Sequence, residues 1–132
     1  MRVLMIGDVV GRPGRRAVQT LLPDLRGDLK PDLVVANGEN SAGGFGITPD
    51  TAMELFSSGV NVITTGNHVW DQKEMIPHLD DGLPVLRPLN YPPSAPGRGY
   101  IFTDGILVVN LIGRVFLGTF DCPFRAMDEL LD

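Results

Sequence analysis

Three short, nearly unbroken apolar runs recur in the first half of the chain: RVLMIG at residues 2–7, DLVVAN at 32–37 and VNVITT at 60–65. Runs of this length without alternation are the form taken by strands of a parallel sheet covered on both faces. Between the first two runs the period changes. Val18, Leu21, Leu22, Leu25 and Leu29 fall at helical spacing, with Pro13 suited to a first turn and Pro23 expected to break or kink the helix. Ahead of the third run, Thr48 and Pro49 read as an N-cap and first helical residue, so PDTAMELFSS forms a helix closed by Gly59. A short helix is expected around Lys73 to Leu79, and PVLRPLNYPP then reads as an extended segment limited by its prolines.

Near the end, GYIFTDGILVVNLIG places Asp104 and Gly105 between two β-favouring runs, a strong signal for a tight hairpin. The alternation of strand and helix up to residue 80 predicts βαβ units. With the hairpin added, the expected fold is α/β, a layered mixed sheet flanked by helices. CPFRAMDELLD begins like a helix at Pro123 and ends without a C-terminal signal, which suggests a chain truncated inside a larger fold.

Composition narrows the class. The 132 residues are one domain's worth, 43% hydrophobic and 20% charged, with 16 Gly and 11 Pro that predict many turns. A formal charge of −5 argues against broad attraction to nucleic-acid backbones, which rests on Lys and Arg, while a small phosphorylated ligand in one pocket remains open. No run approaches the ~20 apolar residues of a membrane span, and the N-terminus lacks a cleavage pattern, so the expected location is cytoplasmic. The single cysteine, Cys122, reads as a small apolar filler.

Candidate chemistry gathers where the predicted strands end: Asp8 after the first, Glu39 and Asn40 after the second, Asn67 and His68 after the third. In open parallel α/β sheets, ligands bind outside the carboxyl ends of the strands, so these loops can point at one space. Each residue alone also has a structural explanation, as a helix cap, a turn or a solvated loop. Converging carboxylates raise each other's pKa unless something positive lies between them. Divalent metal ions solve that problem, and Glu39 has the reach to bridge two of them. The loops SAGGFGIT and GDVVGRPG match neither the phosphate-binding P-loop nor the dinucleotide fingerprint.

Five blocks, GDVVGRPGR, NGENSAGGFGIT, TTGNHVWD, RPLNYP and NLIGR, in that order, resemble the YmdB-like branch of the calcineurin-like metallophosphoesterases over the whole chain. The resemblance implies a metal-dependent phosphodiesterase with a dinuclear site of iron or manganese, acting on phosphodiesters such as 2′,3′-cyclic nucleotides, with partners in RNA turnover. By position, Asp8 resembles a ligand of the first metal, Glu39 the bridging carboxylate and Asn67 a ligand of the second, with Asn40 a weaker ligand or substrate contact. His68 resembles the catalytic histidine that faces the scissile phosphate. Apart from the resemblance, Asp71, three residues on, is a candidate to orient its ring or, alternatively, a helix N-cap. Arg87 and Arg114 are candidate phosphate contacts or, equally, loop-anchoring arginines.

The same resemblance marks a departure. The family completes its metal shell with three later histidines, and this chain contains only His68 and His78, the latter a surface or packing residue. Residues 1–132 therefore read as the N-terminal half of a single metallophosphoesterase-like domain, with weak or single-metal occupancy and weak or no activity. Two alternatives stay open: a noncatalytic α/β module that binds a nucleotide or protein, and a self-associating fragment forming a homo-oligomer.

Overall fold

A computed structural model describes residues 1–132. Strand β1 (Val3–Asp8) leads into helix α1 (Gly11–Leu29), and β2 (Leu33–Asn37) precedes helix α2 (Pro49–Ser57). Strand β3 (Val62–Thr64) is followed by three 3₁₀ turns, Asn67–Trp70, Lys73–Met75 and Pro77–Leu79, then β4 (Val85–Leu86). The chain continues through β5 (Tyr100–Thr103), β6 (Ile106–Val109) and helix α3 (Pro123–Leu131). Strands β1 to β4 form a parallel sheet in that order, and β5 pairs antiparallel with β6. The two pairing senses meet where Leu86 bridges Arg98 and the Leu89 N–H donates to the Asn110 carbonyl. No helix is long and apolar enough to cross a membrane.

Side-chain alternation along β2 divides the core. Val34 and Ala36 pack into one cluster with Val18, Leu22, Leu55 and Ile63, beneath the helices. Leu33 and Val35 face the other way and join Val62 and Leu86 under Ile101, Ile106 and Val108 of the hairpin. The sheet is thus the middle of three layers. Such double coverage explains why β2 reads as an unbroken apolar run.

β1 departs from that expectation. It lies at the sheet edge, where Leu4 and Ile6 pack toward the helices while Met5 on the other face is 74% exposed. The hairpin joins the sheet at β4, the opposite edge, and packs on β2, β3 and β4. Pro23 does not break α1, which runs through it to Leu29. Proline removes the N–H that would bond the Gln19 carbonyl, but both residues lie on the exposed face, where water replaces that bond. Leu21, Leu25 and Leu29 are exposed as well, although Leu25 and Leu29 lie on the face of Val18 and Leu22; those two alone of the predicted stripe are buried. The expected helix at 73–79 is a pair of 3₁₀ turns instead.

Other local signals act as expected. Thr48 caps α2, its hydroxyl accepting from the Thr51 N–H while Thr51 Oγ1 accepts from the Thr48 N–H. Gly59 follows with φ 108, and Asp104 and Gly105 turn the hairpin with φ 51 and 77. Two consecutive left-handed residues match the twist of the flanking strands.

Leu55 is fully buried at the centre of the helix-side cluster. Leu55→Ala is expected to cost about 2–5 kcal/mol and Thr48→Ala about 0.5–2 kcal/mol. Urea unfolding should show both as lower midpoints with unchanged slopes, Leu55→Ala the larger.

Candidate active site at the strand ends

Strand register sets the site. Asp8 pairs with Asn37, Asn37 with Thr64 and Thr64 with Leu86, so the carboxyl ends of all four strands lie in one row. The register shifts between Ile6 and Asp8, and the Val9 N–H then donates to the Asn37 carbonyl at 3.0 Å. The loops that follow leave the sheet side by side.

Hydrogen bonds connect those loops. The Asn40 side-chain amide donates to both Asp8 carboxylate oxygens at 3.0 Å, while the Asn40 backbone carbonyl accepts from Gly11 and Gly44. Glu39 is held from two sides. The Asn37 amide donates to Oε1 at 3.3 Å and the His68 N–H to Oε2 at 3.2 Å. Gly66 makes room for this carboxylate: a Cβ there would lie 2.5 Å from both Glu39 oxygens. The backbone is therefore shaped around an acidic group.

Asn67 opens the 3₁₀ turn beside Gly66, exposed, and its side chain makes no hydrogen bond within the chain. His68 Nδ1 lies 2.7 Å from Asp71 Oδ2, so the carboxylate accepts from Nδ1–H and leaves Nε2 free. His78 and Asp81 repeat the same i, i+3 pair at 3.1 Å on an exposed turn. The pairing alone is thus a local device; the Glu39 contact and the strand-end position set His68 apart.

Hydrogen bonds join Asn40 to Asp8 and the His68 N–H to Glu39, and the two pairs are linked by the peptide bond between Glu39 and Asn40, with Asn67 next in sequence to His68. Arg87 and Arg114 are not part of this group. They line a separate hollow of about 850 Å³ with Tyr91, Phe120 and Cys122. Arg87 is only 6% exposed and donates to the carbonyls of Pro88, Leu89, Ala95 and Pro96. Burial lowers its guanidinium pKa below the usual arginine value, opposed by the Asp80 carboxylate. Its donors serve the loop, which is the loop-anchoring one of the two roles open to it. Arg114 is exposed and makes no ion pair. The Cys122 thiol is held below its ordinary pKa, chiefly by the Arg125 backbone N–H.

Several contributors escaped the sequence reading. Asn37 supports Glu39, and buried Asn110 donates to the Thr65 and Leu86 carbonyls at 2.7 and 2.8 Å, fixing the hairpin to the ends of β3 and β4. A polar residue closing an apolar strand was the available signal for Asn37. Asn110 lies 45 residues from Thr65, and no local pattern announces that contact.

The oxygen-bearing groups at these strand ends are the Asp8 and Glu39 carboxylates and the side-chain amides of Asn40 and Asn67. Oxygen ligands of this kind suit a hard divalent cation. No group of three or more His, Cys, Asp or Glu side chains in the chain is arranged to hold a metal ion.

The sequence profile of the YmdB-like protein family matches residues 4–132. A 2′,3′-cyclic-nucleotide 2′-phosphodiesterase of Bacillus subtilis is 45% identical over 99% of this chain and 51% of its own length. A hypothetical protein of Thermus thermophilus, known by its crystal structure, superimposes with a TM-score of 0.91 at 48% identity, over 99% of this chain and 52% of that one. A crystal structure of a phosphatase from Mycoplasma pneumoniae gives 0.88 at 30% identity, over 98% and 50%. The chain spans about half the length of the relatives it matches.

Because the atoms that a Cβ at position 66 would meet are the far end of a flexible side chain, Gly66→Ala is expected to expel the Glu39 carboxylate at little cost in stability. The His68 amide resonance should move in NMR spectra while the urea midpoint stays nearly constant. An unmoved amide would show that Glu39 is not held there.

Proposed function

The chain belongs to the YmdB-like protein family, and on that premise we propose that its strand-end network is part of a metal-dependent phosphodiesterase site acting on substrates such as 2′,3′-cyclic nucleotides. The observation that carries this is that adjacent residues of one loop bind the other two strand ends, Asn40 through the Asp8 carboxylate and Glu39 through the His68 N–H, while Asp71 holds the His68 ring. The name of the Bacillus subtilis relative supports the substrate class. Asp8, Glu39, Asn40 and Asn67 are the proposed ligands.

Iron or manganese held by these oxygens would supply Lewis-acid stabilisation of phosphoryl charge and lower the pKa of the attacking water. Glu39 is the ligand best fixed in advance, since the Asn37 amide and the His68 N–H already orient it. His68 is the general acid. Asp71 accepts from Nδ1–H, which fixes the ring and leaves Nε2 to deliver a proton to the departing ribose oxygen. Imidazole suits the task because it changes charge near neutral pH.

Calorimetric titration with manganese is expected to give weak or single-metal binding that Glu39→Gln abolishes and His68→Ala leaves intact. Turnover of bis-p-nitrophenyl phosphate with manganese should cease with EDTA, and His68→Ala should lower it by about 10²- to 10⁴-fold. Two tight metal sites would overturn the expected weak occupancy, and loss of metal in His68→Ala would make that residue a ligand.

One observation favours a second reading, an association module. Helix α3 has no buried residue, and its Phe124 is 79% exposed. Sedimentation at micromolar concentration should then show self-association that Phe124→Asp reduces; a clean monomer would remove this reading.

A further inference from the structure

The glycine-rich loop after β2 presents an aromatic ring beside the candidate site. Phe45 is 64% exposed. The ring is held there by construction. Gly43, Gly44 and Gly46 take φ values of 67, 97 and 78, a region in which side-chain-bearing residues are strained. The Phe45 N–H donates to the Ala42 carbonyl at 3.2 Å, and the Gln72 amide donates to the Phe45 carbonyl at 2.8 Å. At position 46 a Cβ would lie 2.7 Å from Gln72 Cγ and 3.2 Å from the Gln72 backbone nitrogen. The loop after β2 and the segment after β3 are therefore locked together. Phe45 comes to rest edge-to-face with His68, the ring centroids 5.9 Å apart and the planes at 72°.

We propose that Phe45 is the base platform of this site, stacking the purine or pyrimidine of a nucleoside phosphodiester whose phosphate meets His68. The inference deepens the phosphodiesterase proposal and rests on it. One ribose separates phosphate from base, a span of the same order as that between the two rings. A hydrocarbon ring makes no hydrogen bond to base edges, so it accepts any base through its π face and favours those that stack best. Purines are therefore held more tightly than pyrimidines. A residue that served only to shield His68 would be indifferent to whether the substrate carries a base.

That difference supplies the test. NMR titrations of the manganese-free chain with magnesium present would compare 2′,3′-cyclic AMP with the methyl riboside 2′,3′-cyclic phosphate, which has no base. The native chain is expected to bind the nucleotide about tenfold more tightly, the order of one base–aromatic stack. Phe45→Ala should bring the two affinities within about twofold, and Phe45→Trp should restore the preference. Saturating the phenylalanine ring protons should transfer to the adenine protons in the native chain and not in Phe45→Ala. Equal affinities in the native chain, or a preference surviving Phe45→Ala, would overturn the platform while leaving the phosphodiester proposal standing. A Phe45-dependent affinity for cyclic AMP with no binding of the base-free phosphate would keep the platform and remove the phosphodiester proposal. Binding of neither ligand would overturn both.

Discussion

The Glu39 carboxylate fills the volume that any side chain at position 66 would occupy, and in that place it accepts the His68 backbone N–H. This contact joins the loop after β2 to the turn after β3, and the Asn40 amide on Asp8 extends the connection to β1. Acidic groups brought together lose hydration and repel one another, so they persist only where donors or cations compensate. The Asn37 and Asn40 amides and the His68 N–H are those donors. No buried side-chain polar atom in the chain lacks a partner.

The scaffold holds this arrangement through ordinary packing. Parallel pairing puts successive strand ends in one row, and the two-sided burial of β2 prevents register slips, because a shift of one residue would exchange its two faces. Asparagines bind the irregular parts to that frame. Asn110 spans the ends of β3 and β4, while Asn90 donates to the Ile112 and Asp121 carbonyls and accepts from the Ile112 N–H. Each satisfies backbone groups that loops would otherwise leave unpaired in the interior.

Much of the fold was legible because its signals are local. The Thr48 cap, the left-handed Gly59 and the Asp104–Gly105 turn depend on residues a few positions apart. The departures and the open choice share a different cause. Pro23 was expected to break or kink α1, yet the helix continues through it on an exposed face. The first apolar run was expected to be covered on both sides, yet β1 stands at an edge. By sequence Arg87 is open to phosphate contact or loop anchoring, and four loop carbonyls take its donors. In each case the outcome turned on what surrounds a residue, which its neighbours in sequence do not report.

The candidate site divides along the same line. By itself the sequence determined that Asp8, Glu39, Asn40, Asn67 and His68 stand just beyond apolar runs, since strand ends follow from hydrophobic pattern and turn chemistry. It also determined the His68–Asp71 pair, three residues apart on one turn. Only the tertiary structure decided that Glu39 leans on Gly66, that Asn40 donates to Asp8, and that Phe45 stands beside His68. Those contacts join segments up to 32 residues apart in the chain, and their existence depends on sheet order and register, which arise from the packing of the whole core and from no single stretch of it.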